Sequence, residues 1–305
     1  MKNLIPQSIK NIYHLFQAIL ANFWYGFPSK KIKVIGVTGT NGKTTTVQLI
    51  AKILEEAGHK IAVNSTINFK IGNKEWINTT KYTTLSPFKI QNFIKDAVNV
   101  GCKYLILETS SHSLDQYRVW GIKYDTAVVT NVTREHLDYH KTMEKYRKSK
   151  SALFKNVDTA IVNLDMEKPE EFLDCNAKNK FGYNIKNHES RIMNQGVENI
   201  VAEDIETEVN KSKFIIRDSK FIIHLPGLFN IENALAATCV GLSQGIDLEI
   251  ISKALEKIKG VPGRMEYVPN SKGLNIIIDY AVTPDSLQKL YELIVGNKSL
   301  QNGDL

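Results

Sequence analysis

Near the N-terminus, Ile5, Ile9, Ile12, Leu15, Phe16, Ile19, Leu20 and Phe23 recur at helical spacing with polar residues between them. This pattern predicts a helix packed on the domain through that stripe. Docking on a partner or a membrane surface is the alternative. Phe27-Pro28-Ser29 ends the pattern. The β-branched run at 33–37 reads as a buried strand, and 45–57 as a helix closed by Gly58. A strand follows at 61–63, then a small hairpin at 67–77 turning at Gly72-Asn73. Ser86-Pro87 opens a helix that reaches residue 100. Strands are predicted at 104–107, 126–130 and 159–163, with a helix at 142–154. This alternation implies an α/β fold, a mostly parallel sheet flanked by helices.

From residue 181 to 224 the pattern shifts to short strands, at 214–216 and 221–225, which read as a small β-rich insertion. An alanine-rich helix at 230–241 and another at 248–257 follow. Val261-Pro262-Gly263 is a break, after which a strand at 275–279 and a helix at 284–295 are predicted. Three segments result: 1–32, 33–262 and 263–305. One strand and one helix cannot bury a sheet face, so the last segment is expected to be the start of a truncated C-terminal α/β domain.

The 305 residues are 43% hydrophobic and 23% charged, which excludes collagen-like, low-complexity and wholly disordered chains. Cys102, Cys175 and Cys239 lie far apart with no CxxC pair. That argues against a disulfide framework or zinc ribbon and fits a reducing cytoplasm. The net charge is +7. The first carboxylate is Glu55, and Lys2, Lys10, Lys30, Lys31, Lys33, Lys43 and Lys52 precede it. The whole excess therefore sits in residues 1–54, which implies an anionic ligand there rather than a nucleic-acid face across a domain. Residues 4–27 are interrupted by Pro6, Gln7, Lys10, Asn11, His14, Gln17 and Asn22, so no membrane span is expected, and no signal-peptide core is found.

Gly39-Thr40-Asn41-Gly42-Lys43-Thr44-Thr45 follows a predicted strand and opens a predicted helix. In that context glycines let backbone N–H groups wrap a phosphate, the helix N-terminus adds a favourable field, and Lys43 adds charge. Thr44 is placed to ligate Mg²⁺. The general GxxxxGK[ST] pattern would have glycine at 37, where Val37 stands, so the loop is a variant. Glu108, at the carboxyl end of a strand, would face this loop and could hold Mg²⁺, or could cap a helix. His136, after another strand, is a candidate metal ligand or a structural histidine.

The runs GVTGTNGKTTT, YTTLSP, ETSSHSLDQYRV, TNVTREHLDYH, YRKSKSALF, LPGLFNIENALAA, PGRMEY and DYAVTPDSL occur in that order from about residue 33 to 295. Together they resemble the Mur ligase family, and within it the branch that adds the third residue of the peptidoglycan stem peptide. The resemblance implies a reaction. ATP phosphorylates the terminal carboxylate of UDP-MurNAc-dipeptide, ADP leaves, and an amino-acid amine attacks the acyl phosphate. It also implies roles. Lys43 and Thr44 take the ATP phosphates and Mg²⁺, with Glu108 and His136 in the metal sites. Lys150 is a carbamylated lysine acting as a magnesium ligand. Thr83, Thr84, Ser110, Gln116 and Arg118 contact the UDP-MurNAc-peptide. Asn233 contacts adenine, Arg264 phosphate and Asp279 ribose. Read without the family, Lys150 is a solvated helix lysine, Asn230 and Asn233 are helix caps, and Asp279 is a turn residue.

The sequence departs from the family in several places. Residues 1–32 are a one-helix remnant of the substrate domain, and most of the C-terminal domain, with its DNPR-type segment, is missing. Val282 replaces the histidine of the DYAHTP run, and Glu135 replaces an aspartate. A ligase completed by a second chain or a longer gene product is therefore expected. The alternatives are a nucleotide-binding scaffold, or another branch such as folylpolyglutamate synthetase or a lipid II-modifying amidotransferase subunit.

Overall fold

The structure is a computed structural model that describes residues 6–80, 82–185, 196–208, 210–272, 274 and 276–296. Ile5, Lys2 and Asn275, and the outer ends of the first and last segments, lie outside the described residues. In chain order the first elements are α1 (Gln7–Tyr25), β1 (Lys33–Thr38), α2 (Lys43–Glu56), β2 (Ile61–Asn64), β3 (Asn68–Ile71), β4 (Lys74–Ile77) and α3 (Pro87–Asn99). Then come β5 (Tyr104–Glu108), α4 (Ser111–Asp115), β6 (Thr126–Val129), α5 (Leu137–His140), α6 (Met143–Ser151), β7 (Thr159–Asn163) and α7 (Glu170–Leu173). The remainder are β8 (Asn179–Asn184), β9 (Val197–Val201), β10 (Glu203–Thr207), β11 (Ser212–Ile216), β12 (Ser219–Ile223), α8 (Leu228–Ser243), α9 (Leu248–Glu256), β13 (Glu266–Tyr267), β14 (Ile277–Ile278) and α10 (Pro284–Gly296).

Nine strands form one sheet in the order β4-β3-β2-β5-β1-β6-β7-β8-β9. All neighbours are parallel except the β2–β3 and β3–β4 pairs at one edge. The central strands are apolar on both faces, as a sheet covered twice requires. Ile35, Val37, Tyr104, Ile106 and Ile161 point into a core shared with α2, α8 and α9. Val34, Leu105, Leu107, Val129 and Val162 point into a second core with α3, Tyr146 and Phe154. Gly36 interrupts β1 where an added Cβ would stand 2.7 Å from the Tyr124 ring.

The expected α/β architecture is present, with two differences. The 181–224 stretch is not wholly a separate insertion. Its first strand, β8, joins the main sheet with β9, and only β10–β12 make a small antiparallel sheet. The N-terminal helix forms, but it packs by its other face. Ala18, Ala21 and Asn22 are buried, whereas Ile9, Ile12, Tyr13, Phe16, Leu20, Phe23 and Trp24 are exposed. Among the described residues no helix is long and apolar enough to cross a membrane.

Candidate functional site

β1 lies at the centre of the sheet between β5 and β6. The chain leaves β1 for β2 on one side, returns to β5, and crosses β1 to reach β6. The carboxyl end of β1 is therefore a switch point, where open parallel sheets gather ligands. The loop 39–42 sits there and leads directly into α2. Its two glycines are sterically required. Gly39 has φ +150°, and a Cβ would stand 1.9 Å from Thr130 Oγ1. Gly42 has φ +82°, with Asn233 Oδ1 at 2.3 Å. The loop is pinned from β6, since Thr130 Oγ1 donates to the Asn41 carbonyl at 2.6 Å and Asn41 N donates to Asn131 Oδ1 at 2.9 Å.

Glu108 ends β5 and is 1% exposed. Its carboxylate accepts the Thr44 hydroxyl at 3.2 Å, the Thr66 amide at 2.8 Å and the Thr66 hydroxyl at 2.9 Å. With its proton on Glu108, Thr66 Oγ1 accepts from the Thr83 hydroxyl at 3.1 Å. A buried carboxylate is tolerable only when it is bonded this fully.

Lys43 and Lys150 converge on one atom. Lys43 Nζ donates to the Gly39 carbonyl at 3.0 Å and to the Thr40 carbonyl at 2.7 Å. Lys150 Nζ donates to the same Gly39 carbonyl at 2.7 Å and lies 4.4 Å from the Tyr146 ring centroid. Lys150 is 1% exposed, so it is not a solvated helix lysine. Burial, then the Lys43 charge, hold its amine well below the ordinary lysine value, with Glu135 opposing. Burial also lowers Lys43.

Arg264, Thr283 and Asp285 close over the loop. Arg264 donates to Thr44 Oγ1 at 3.3 Å and to the Tyr280 carbonyl at 3.2 Å. Asp279 accepts from Met265 N at 2.8 Å, as a turn residue would. Asn41 Nδ2 donates to Thr283 Oγ1 and Asp285 Oδ2 at 3.2 and 2.8 Å. The open cleft between them holds about 330 Å³. Of the residues picked from sequence, Thr40, Asn41, Gly42, Lys43, Thr44, Thr45, Thr83, Glu108, His136, Asn233, Arg264 and Asp279 line it, beside Val282. Asn233 is not a cap. It accepts from Thr46 at 3.2 Å and donates to Asn230 at 3.3 Å.

Gly39 and Lys150 lie outside that lining, and so do Thr84, Ser110, Gln116 and Arg118. Thr84 Oγ1 donates to the Glu108 carbonyl at 3.1 Å and Arg118 to the Thr84 carbonyl at 3.1 Å, so this second cluster adjoins the first through β5. Gln116 donates to Tyr139 at 3.4 Å. His136 does not meet Glu108; its Nε2 is 3.5 Å from Glu135, and its ring is 4.7 Å from His112. Among the described residues no group of three or more His, Cys, Asp and Glu side chains is arranged to hold a metal, although hydroxyls and lysines fall outside such a group.

Sequence reasoning missed Thr66, Tyr146 and His112. Thr66 follows the end of β2 as Glu108 ends β5, so the strand-end rule would have found it. Tyr146 precedes Lys150 by one helical turn. His112 carried no positional signal. Burial and the flanking His136 and His140 push it down to about 4.

The parallel sheet and its strand–loop–helix define a phosphate-loop α/β protein. A family profile described as "Mur ligase middle domain" matches residues 37–241, and the chain belongs to that family. It is 39% identical over 279 residues to a UDP-N-acetylmuramoyl-L-alanyl-D-glutamate–2,6-diaminopimelate ligase of Clostridium tetani, covering 90% of this chain and 55% of that protein. It is 34% identical to a UDP-N-acetylmuramyl-tripeptide synthetase of Roseiflexus sp., covering 91% and 57%. A solved diaminopimelate ligase of the first kind superposes with a TM-score of 0.70 at 29% identity, over 87% of this chain and 54% of that one. The chain spans just over half the length of these relatives.

Proposed function

We propose that this chain carries the ATP-activating part of an amide ligase that extends a UDP-MurNAc-peptide by one amino acid. The ATP phosphates would lie on the amides of 39–45, with Lys43 beside them, Arg264 on phosphate, Asn233 near adenine and Asp279 near ribose. Thr83, Thr84, Ser110, Gln116 and Arg118 would hold the UDP-MurNAc-dipeptide, whose carboxylate suits the Arg118 fork. Activation breaks the bond to the γ-phosphate and forms an acyl phosphate; ADP leaves, and the incoming amine then displaces phosphate. The chain's share is positioning and charge, since two anions must meet.

The residues fit Mg²⁺, because Glu108 and Thr44 bring hard oxygen donors within 3.2 Å of each other. Glu108 and Thr44 would hold one ion, and His136 and a carbamylated Lys150, which do not meet Glu108, would belong to a second site. Bound there, the ion neutralises phosphate charge. Carbamylation needs a neutral amine to attack CO₂, forming an N–C bond and releasing a proton. The depressed Lys150 amine supports that step. A carbamate resonance in ¹³CO₂-equilibrated protein, absent from Lys150→Met, tests it.

The observation that carries the reading is Lys43, Glu108 and Lys150 converging around one loop at the sheet's switch point. We assign 33–262 to the catalytic unit and 263 onward to a C-terminal unit. Amino-acid selection by a second chain or a longer product is part of the proposal, supported by the relatives' extra length, and so is a cytoplasmic location. The test is ADP release from Mg-ATP with UDP-MurNAc-dipeptide and candidate amino acids. Substrate-stimulated ADP supports the ligase. Tight Mg-ATP binding without stimulation supports the second reading, a nucleotide-binding scaffold, which Val282 on the cavity wall favours.

A further inference from the structure

α1 reverses the usual orientation of an amphipathic helix. At about 100° per residue, Ile9, Ile12, Phe16, Leu20, Phe23 and Trp24 fall within an arc of about 120°. That arc faces solvent, with Ile12 66%, Phe23 68% and Trp24 78% exposed. Asn11 and Asn22 point at the protein instead. Asn11 donates to Asp115 at 3.2 Å, and buried Asn22 donates to the Ala18 and Trp120 carbonyls at 2.8 Å each. The bonds to Asp115 and Trp120 fix the roll of the helix, so the stripe cannot turn inward without breaking them.

Charge decides what covers the stripe. Residues 1–54 contain no carboxylate. Exposed Lys30 and Lys31 directly follow α1, and exposed Lys89 and Lys95 stand on α3, which packs beside it; Asp96 is the opposing charge on that helix. Lys30 lies 4.8 Å from the Phe27 ring and Lys95 5.7 Å from the Tyr25 ring. A lysine fringe of one sign repels a second copy of the same face and attracts an anionic surface. Aromatic and aliphatic side chains with lysines beyond the end of the stripe, on a helix too polar to span, are what an interfacial helix needs.

We propose that the outer face of α1 binds anionic lipid bilayers, with the apolar stripe inserted at the headgroup level and the lysines on lipid phosphates. The proposal goes beyond the ligase reading and does not depend on it.

The test is co-sedimentation of the full chain with vesicles rich in phosphatidylglycerol, against pure phosphatidylcholine vesicles, at low and high salt. Expected are binding to the anionic vesicles, a loss of about tenfold or more in neutral vesicles or high salt, and a similar loss for Phe16→Glu. Lys30→Glu/Lys31→Glu, whose side chains are solvent-exposed, should weaken anionic binding and reduce the salt dependence. Unchanged circular dichroism of each variant keeps misfolding apart from lost docking. No vesicle binding, or binding indifferent to Phe16→Glu, overturns the proposal. So does a dimer in sedimentation velocity that Phe16→Glu converts to monomer, since the stripe would then be covered by a second copy.

Discussion

The loop at the end of β1 and the outer face of α1 both depart from the rule that polar groups face water and apolar groups do not. At the loop, Glu108, Lys150, Thr44 and Thr40 are buried; Glu108 accepts from Thr44, and Lys150 donates to the Gly39 carbonyl. On α1, large apolar side chains are left in water while Asn22 is buried. The comparison separates two ways of building a binding surface. The loop stores desolvated charge in a rigid frame for a small, highly charged ligand. The helix stores undischarged apolar area for an extended one.

The largest effect expected from breaking this comparison is at Gly39. Gly39→Ala places a Cβ against Thr130 Oγ1 in a backbone conformation that L residues avoid. Calorimetry should show Mg-ATP binding weakened by about 100-fold or more, with stability lowered by about 2 kcal/mol. Next is Lys150. Its folded-state pKa lies below the unfolded value, so the unfolded chain binds more protons between the two. Stability of the parent protein therefore rises with pH through that window, and the penalty is full below the folded pKa. Lys150→Met should flatten this slope in denaturant titrations across pH, and should cut any substrate-stimulated ADP release by about 100-fold. A slope unchanged by the substitution would mean that Lys150 is solvated.

Smaller effects sharpen the contrast on α1. Asn22→Ala removes two hydrogen bonds and leaves the Trp120 carbonyl without this partner. It should cost about 1–2 kcal/mol in thermal or urea unfolding. Phe16→Glu, on the exposed face of the same helix, should change stability by no more than about 0.5 kcal/mol. If Phe16→Glu destabilised more than Asn22→Ala, the assigned roll of α1 would be wrong.

The strands around the loop were legible because a sheet covered on both faces demands continuous apolar runs, and 33–37, 104–107, 126–130 and 159–163 are such runs. β8 and β9 were not assigned to the main sheet, since strands with polar positions resemble those of a separate hairpin. Lys43, Thr44 and Glu108 were readable from position, next to glycines and at strand ends. Lys150 was not readable from pattern alone. Met143–Ser151 reads as a solvated helix, and only its packing against the loop buries that one amine. The α1 stripe was readable as a stripe, but not as the outer one.

The order of apolar runs and glycines along the chain determined the α/β class, the phosphate loop and the existence of each long helix, because those depend on periodicity and local backbone freedom. Which lysine lost its water, which threonine met Glu108, and which side of α1 turned inward were decided only when distant segments packed. Burial and hydrogen-bond partnership are properties of neighbours in space, and spacing along one chain does not contain them.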